Sequence, residues 1–345
     1  HLHLPDQLGR MLVSACGAML VALIISGIVA HPRIFRDAFQ LRFGGNKRLE
    51  QADIHNRLSV WGLPFHLMIA ITGAFFGLVS ILVFIGTAAF YEGDQEALIA
   101  DVYGHDPVID AEVIPLNIDR ALATLEQKVP EAEPMYLVVH HMGSRKQYME
   151  IAAVLPRRLS YSEIYRFTAA GDWLGSQGLA DGPVARVAIY SVYRLHFGWF
   201  GGFYVQVLYF ILGIALTVIA ASGVNVWLAR RGGRDWINDA WGAVVWGTPV
   251  ALIVAAIVSV LVGYSTLAGF VLSAIIIVLF CLKFRKVDYC ARLLRSALVI
   301  LMAVLLAGYA FKYPAYLNTE LFIMMCLFTL LPVSAWLGFN YFRRQ

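Results

Sequence analysis

Seven apolar runs, each long enough to cross a bilayer, constrain the fold of this chain more than any other feature. They lie near residues 9–30, 58–90, 198–228, 239–263, 265–282, 293–311 and 319–342. A transmembrane helix needs about 20 mostly apolar residues, and only 14% of the residues here are charged. The sequence therefore excludes a water-soluble globule and predicts an all-α polytopic membrane helix bundle.

Basic residues collect in alternate connections between these runs. They are dense in the segments 31–57, 229–234 and 283–295 and at the chain end, Arg343-Arg344. The positive-inside rule assigns all four segments to the cytoplasm. The N-terminal end of the first run then lies outside, which predicts at least one further span upstream of His1.

One long polar segment, residues 91–195, falls on the outer side and has a visible excess of acidic residues. Helical spacing predicts a helix over 118–129, and Asn117 or Asp119 could cap it. Alternating patterns predict strands near 135–141, 147–154 and 163–168. We expect a small α+β module that binds or positions a molecule, because it is too small to contain the cleft of an enzyme.

Histidines near both ends of the predicted spans are the strongest chemical signal. His55 and His66 are eleven positions apart on the second run, which on one helix brings them to nearly the same face, about 16 Å apart. His31 is predicted at the same inner level, whereas an outer group comprises His1, His3 and His196. Each histidine alone could equally be a solvated or hydrogen-bonded structural residue.

Taken together, the two groups fit two stacked b-type haems, because each iron takes imidazole nitrogens from facing helices. We predict His55, His66, His196 and His3 as ligands of the haem iron, with His31 and His1 as further candidates. Propionates could pair with Arg10 and Arg194 outside and with Arg33 and Arg57 inside, although such arginines also anchor lipid headgroups. There is no CxxCH motif, which excludes covalent haem attachment.

A hydroxyl residue followed by glycine recurs in three spans, as Ser26-Gly27, Thr72-Gly73 and Ser222-Gly223. Such pairs allow close helix packing, which Gly73-Ala-Phe-Phe-Gly77 favours, or they could lie against a flat cofactor. Both interpretations stay open. Near His196, we expect the glycines at 198, 201 and 202 to leave room for a macrocycle.

Several of these stretches resemble the PepSY-associated transmembrane helix family. They are Asp53-Ile-His55-Asn, Leu63-Pro64-Phe-His66-Leu-Met-Ile, Thr72-Gly73, Gly27-Ile-Val-Ala-His31-Pro-Arg-Ile-Phe, Leu195-His196-Phe-Gly and Trp227-Leu-Ala-Arg-Arg. The resemblance covers about residues 1–231 and implies a PepSY module in 91–195. It divides the chain into two spans with a cytoplasmic loop (1–90), the module (91–195), a third span (196–231) and a C-terminal accessory bundle of four spans (232–345).

The resemblance also implies a function. Members of the PepSY-associated transmembrane helix family are bacterial inner-membrane proteins, often iron-regulated, and some reduce siderophore-bound iron through two haems. We therefore expect an oxidoreductase with haem b, located in the bacterial inner membrane with its module in the periplasm. It would pass electrons from an unknown cytoplasmic donor to a ferric chelate, in contact with lipid and with no nucleic acid. The alternative is a non-catalytic anchor whose PepSY-like module binds or regulates a periplasmic partner protein or peptidase.

Overall fold

The chain is a multi-pass membrane protein with a small α+β module. The computed structural model describes residues 5–40, 42 and 47–342. Within these residues, six helices are long and apolar enough to cross a membrane. They are Gln7–Ala30, Leu63–Phe90, Gly202–Arg231, Trp236–Val262, Thr266–Phe284 and Asp288–Lys312.

The seventh predicted run is also helical, over Thr319–Phe342. Its apolar part among the described residues, Thr319–Leu330, is shorter than a membrane span. The seventh crossing therefore stays a prediction.

Two compact units make up the chain. The first comprises His1–Ile34 and Gly62–Gly213, and the second comprises Phe35–Trp61 and Ile214–Gln345. Helix α8 (Gly202–Arg231) contributes residues to both units. A four-residue helix, α2 (Ile34–Asp37), lies where the first unit gives way to the second.

In the first unit, helices α1 (Asp6–Ala30) and α4 (Leu63–Phe90) pack with their backbones close together. A Cβ atom added at Gly17 would lie 2.9 Å from the backbone nitrogen of Ala74, and one at Gly77 would overlap Ser14. The Ser14 hydroxyl donates a hydrogen bond of 2.8 Å to the carbonyl of Gly73. Small residues thus pack α1 against α4, as the spacing of Gly73 and Gly77 predicts.

The module of the first unit contains an antiparallel sheet in the order β1-β2-β3-β4. Its strands are Glu133–His140, Tyr148–Val154, Glu163–Thr168 and Trp173–Ser176. Helix α6 (Ile118–Lys128), which is capped by Asn117, contributes Ala121 and Leu125 to the core formed with the sheet. The predicted helix and three strands are confirmed, whereas β4 and helix α5 (Gln95–Tyr103) were not predicted.

Helix α7 (Val184–Phe197) joins this module to the membrane part of the unit. The backbone amide of Tyr161 donates to the carbonyl of Tyr190 on α7, and the Tyr190 ring contacts Tyr103 with centroids 5.6 Å apart. Burial raises the pKa of Tyr190 to about 12. The module is therefore packed directly onto α7.

In the second unit, three membrane helices form an apolar core. They are α9 (Trp236–Ile257), which continues as one π-helical turn, α10 (Thr266–Phe284) and α11 (Val287–Lys312). Two charged residues are buried in this bundle: Asp239 pairs with Arg234 at 3.2 Å, and Arg295 lies 4.8 Å over the Trp246 ring. Beyond α11 the chain makes a short 3₁₀ turn before α12 (Thr319–Phe342).

Two predictions about helix continuity are wrong. The run 58–90 is not one helix, because α3 (Lys47–Trp61) ends before Gly62 and α4 starts at Leu63 with a proline in its first turn. Proline lacks an amide hydrogen and its ring clashes with the preceding turn, so it begins a helix more readily than it continues one. His55 and His66 therefore lie on different helices and do not share a face of one span.

The second correction concerns His196, which does not begin the third span. It lies in the last turn of α7, and Gly198 then ends that helix with a left-handed backbone, φ 69°. Only after this turn does α8 start, at Gly202. The ring of His196 is consequently carried by a helix that comes from the module.

Candidate functional site

His196 points at helix α4 and is held there by a hydroxyl. Its Nδ1 atom lies 2.9 Å from Thr72 Oγ1, and Thr72 Oγ1 donates to the carbonyl of Met68 at 2.8 Å. We assign the threonine hydrogen to that short bond, and with this assignment the Thr72 oxygen accepts from His196. The proton of the neutral ring is thus on Nδ1, and the lone pair is on Nε2.

The surroundings of His196 favour a neutral ring. A Cβ atom on Gly73 would lie 3.3 Å from His196 Cε1, so only glycine leaves the ring its full space. Phe76 meets the ring edge-on, with centroids 5.2 Å apart. These apolar neighbours solvate a cation poorly, which favours the neutral form of the ring.

His196 also lies deeper than the sequence predicts. Thr72 and Gly73 are in the first half of α4, which runs from Leu63 to Phe90. The ring therefore contacts the middle part of this helix and not its outer end. Gly198 and Gly201 do not provide open space either, since Cβ atoms there would contact Tyr209 and Val205.

In the second unit, His55 on α3 is held against α8 by the same kind of contact. Its Nδ1 atom lies 3.0 Å from the carbonyl oxygen of Ile219 and 3.2 Å from Ser222 Oγ. A carbonyl oxygen can only accept, so Nδ1 carries the proton here as well. A Cβ atom on Gly223 would lie 3.3 Å from His55 Cε1.

Two of the three hydroxyl–glycine pairs thus each receive an imidazole. In both, Nδ1 donates to the facing helix, Cε1 lies over the glycine, and Nε2 makes no hydrogen bond to any residue that the structure describes. The third pair differs, because nothing lies within 4 Å of a Cβ atom added at Gly27, and among the described residues the Ser26 hydroxyl donates to the carbonyl of Leu23 in its own helix. Packing explains Gly77, whereas an imidazole explains Gly73 and Gly223.

This arrangement suits a metal-ligating histidine. Such histidines usually donate their second ring nitrogen to a carbonyl or other acceptor, which fixes the tautomer and orients the ring. The described residues contain no group of three or more His, Cys, Asp or Glu side chains that could hold a metal ion. A haem supplies four nitrogens of its own and takes imidazoles for the rest, so one oriented imidazole at each site is compatible with haem.

The other predicted histidines are not brought to either ring by any described contact. His66 is buried, 2% exposed, and packs over Gly62, where a Cβ atom would overlap the imidazole. The backbone amide of His31, just after α1, donates to the carbonyl of Gly27 at 3.2 Å. His1 and His3 lie outside the described residues. Their roles as haem ligands stay predictions.

Two of the four predicted propionate partners, Arg57 and Arg194, contact backbone carbonyls. The Arg57 guanidinium donates to the carbonyls of Ala38 and Phe39 and lies 5.2 Å from the Trp61 ring. Arg194 donates to the carbonyl of Arg158 at 2.7 Å. Arg10 and Arg33 are exposed. A role for any of these arginines in binding propionates stays a prediction.

Three groups that hold the rings, two hydroxyls and one backbone carbonyl, were not predicted from the sequence as functional. The hydroxyls of Thr72 and Ser222 orient the rings, and the recurring hydroxyl–glycine pair was the available signal for them. The Ile219 carbonyl gave no signal, because a backbone atom far away in sequence cannot be identified from residue types.

Comparison with known proteins gives the family of the chain. The profile described as the PepSY-associated TM region matches residues 1–230. The uncharacterized protein PA4219 of Pseudomonas aeruginosa is 29% identical over 236 residues, which are 65% of this chain and 60% of that protein. No solved structure is significantly similar. Because the profile covers two thirds of the sequence, the chain belongs to the PepSY-associated TM region family.

Proposed function

We propose that this protein transfers electrons across the bacterial inner membrane through b-type haems and reduces a ferric chelate in the periplasm. The observation that carries the proposal is the shared geometry of His196 and His55. Each ring is fixed by Nδ1 against a hydroxyl–glycine pair and keeps Nε2 for a ligand. Packing alone requires neither the same tautomer nor a glycine under both rings.

In this proposal the chain has three tasks toward the cofactor. His196 and His55 would hold the irons, Thr72 and Ser222 would keep the rings in the correct tautomer, and Phe76 would exclude water. Bound haem b would supply a one-electron Fe(III)/Fe(II) couple. His66, which is buried in α4, and His31, His1 and His3 remain candidates for further haem ligands.

The module would position the chelate near α7. Two of its basic residues, Arg145 and Arg158, pair with Asp110 and Asp181, the latter at 2.8 Å, which reduces their attraction for an anionic chelate. Reduction of the iron weakens its binding to hard oxygen donors, which releases it.

The alternative function, an anchored module that binds a partner protein, makes a different prediction for the purified protein. The haem proposal predicts a red detergent-solubilised protein with a reducible Soret and α-band and two haems per chain. The anchor alternative predicts a colourless protein that still contains the folded module. An absorption spectrum with a haem assay separates the two.

Histidine variants locate the haems. We expect His196→Ala and His55→Ala each to lower the haem content from two to one, and His196→Ala to stop reduction of an external ferric chelate. His105→Ala is the matched control, because His105 is an exposed residue of the module. If both site variants kept two haems, the proposed ligands would be wrong.

A further inference from the structure

The second unit contains a cavity of 740 Å³ beside the His55 site. Its wall includes Ile54, the neighbour of His55, and Ser222, whose hydroxyl contacts the His55 ring. His55 itself does not line the cavity. A molecule in the cavity would therefore contact Ser222, the hydrogen-bond partner of the His55 ring, without occupying the position of a ligand on the ring itself.

Neutral amides and indoles give the cavity its chemistry. Trp241 Nε1 donates to Asn225 Oδ1 at 2.9 Å, and Asn225 Nδ2 donates to Gln51 Oε1 at 3.1 Å. This chain of bonds uses the Gln51 oxygen, and among the described residues the Gln51 amide hydrogens have no acceptor, so they can donate to a carbonyl or hydroxyl oxygen of a ligand. Trp241 and Trp246 both line the cavity, so aromatic surface faces a ligand there, although Arg295 already lies over the Trp246 ring.

The charges near the cavity disfavour a phosphate-bearing ligand. Arg234 lines the cavity but pairs with the buried Asp239 at 3.2 Å, and Arg231 pairs with Asp235 at 2.6 Å. The rim also carries Asp288. A nicotinamide or flavin nucleotide would have to break one of these ion pairs to gain a cation, whereas a neutral ring would not.

The position of the cavity allows entry from lipid. Its residues on α8, from Val218 to Ala229, belong to the last turns of a membrane helix that ends at Arg231. Val218 is 38% exposed and Ala229 is also exposed. By the positive-inside rule this end of α8 faces the cytoplasm, where the proposed function requires its electron donor.

We propose that this cavity binds a membrane quinol, which is the electron donor of the protein. The inference rests on the proposed function. The quinol would lose two electrons and two protons and leave as quinone. The two electrons would pass one at a time to the one-electron acceptors of the proposed function, haem b held by His55 and His196, and the protons would pass to water at the rim near Asp288.

The test measures binding separately from electron transfer. Decylubiquinone is added to the detergent-solubilised full chain, and binding is followed by quenching of tryptophan fluorescence and by thermal stabilisation. We expect saturable binding that weakens at least tenfold in Ala229→Phe, which places a ring in the cavity. Ala220→Phe is the matched control, because Ala220 is exposed on the same helix and does not line the cavity. Asn225→Leu provides a second variant that removes the central amide.

Each outcome has one meaning. Equal binding of decylubiquinone to the parent and to both cavity variants would overturn the inference. Displacement of bound decylubiquinone by an equal concentration of phosphatidylglycerol would also overturn it, because that result would identify the cavity as a lipid site. Anaerobic decylubiquinol should reduce the haem bands of the parent and of Ala220→Phe but not those of Ala229→Phe. A red protein that binds no quinone would refute the inference and leave the proposed function intact, whereas quinone binding to a colourless protein would refute the proposed function.

Discussion

The His196 and His55 sites hold equivalent rings by unequal means. At His196 one hydroxyl, that of Thr72, accepts from Nδ1 and passes the interaction on to the Met68 carbonyl. At His55 the ring reaches a carbonyl directly, and Ser222 is a second partner. The first site depends on a single side chain, whereas the second has a backbone acceptor that no substitution removes. Similar geometry therefore does not imply similar tolerance to mutation.

The largest effect should come from filling the space that a glycine leaves beside each histidine ring. Gly73→Val places a branched side chain where a Cβ atom alone already lies 3.3 Å from His196 Cε1. We expect the variant to lose one of two haems, and Gly223→Val to lose the other. Gly27→Val is the control, since it changes the third hydroxyl–glycine pair where nothing lies within 4 Å. Equal haem content in all three variants would show that the glycines do not define the sites.

The orienting hydroxyls should reveal the difference between the sites. Thr72→Val leaves the Nδ1 hydrogen of His196 without its acceptor, and loss of such a partner typically weakens metal binding by about 10- to 100-fold. Ser222→Ala should have a smaller effect, because His55 still donates to Ile219. Titration of the haem-free protein with haem measures the haem affinity of each variant, and redox titration measures its midpoint potential. Thr72→Val should also raise the midpoint potential, since the ring becomes a weaker donor to Fe(III). Equal losses in both variants would contradict the comparison.

A smaller effect separates the sites by their charges. Helix α3 carries His55 and also the buried Asp53, whose carboxylate accepts hydrogen bonds from the guanidinium and the backbone amide of Arg42. These bonds hold the pKa of Asp53 below its usual value. A lowered pKa gives stability that is complete above about pH 4 and is lost as the pH falls through the lowered pKa. His196 has only aromatic and hydroxyl neighbours among its described contacts.

We therefore expect Asp53→Asn to weaken haem binding only at the His55 site, by less than tenfold, and to do so equally at pH 7 and pH 5. The difference from the parent should shrink only as the pH falls through the lowered pKa of Asp53, where the carboxylate takes up a proton. Haem release followed at several pH values with the two single-histidine variants assigns the loss to a site. An equal effect at the His196 site would show that the ion pair stabilises the whole chain and not one site.

The sequence predicted more of the fold than of the site. Apolar length alone located six membrane helices, and alternation located three of four strands, because burial imposes these patterns on local sequence. The break before α4 was missed although Pro64 marks it, because the apolar run continues through Gly62. Neither interpretation of the hydroxyl–glycine pairs included a histidine, whereas an imidazole lies over Gly73 and over Gly223; a flat cofactor against these glycines stays a prediction. Which glycine receives an imidazole depends on partners more than 120 residues away in the chain, and spacing does not contain that information.

The position of the two ring protons has an energetic consequence under the proposed function. Each Nδ1 hydrogen is engaged by the facing helix, so it stays in place when the iron bound at Nε2 changes its charge. An electron would then cross the membrane without a compensating proton from either ring. The membrane voltage, negative inside, would favour that transfer by about 2.3 kcal/mol per electron for every 100 mV. An energised cell would thus drive iron reduction outside even from a weakly reducing donor.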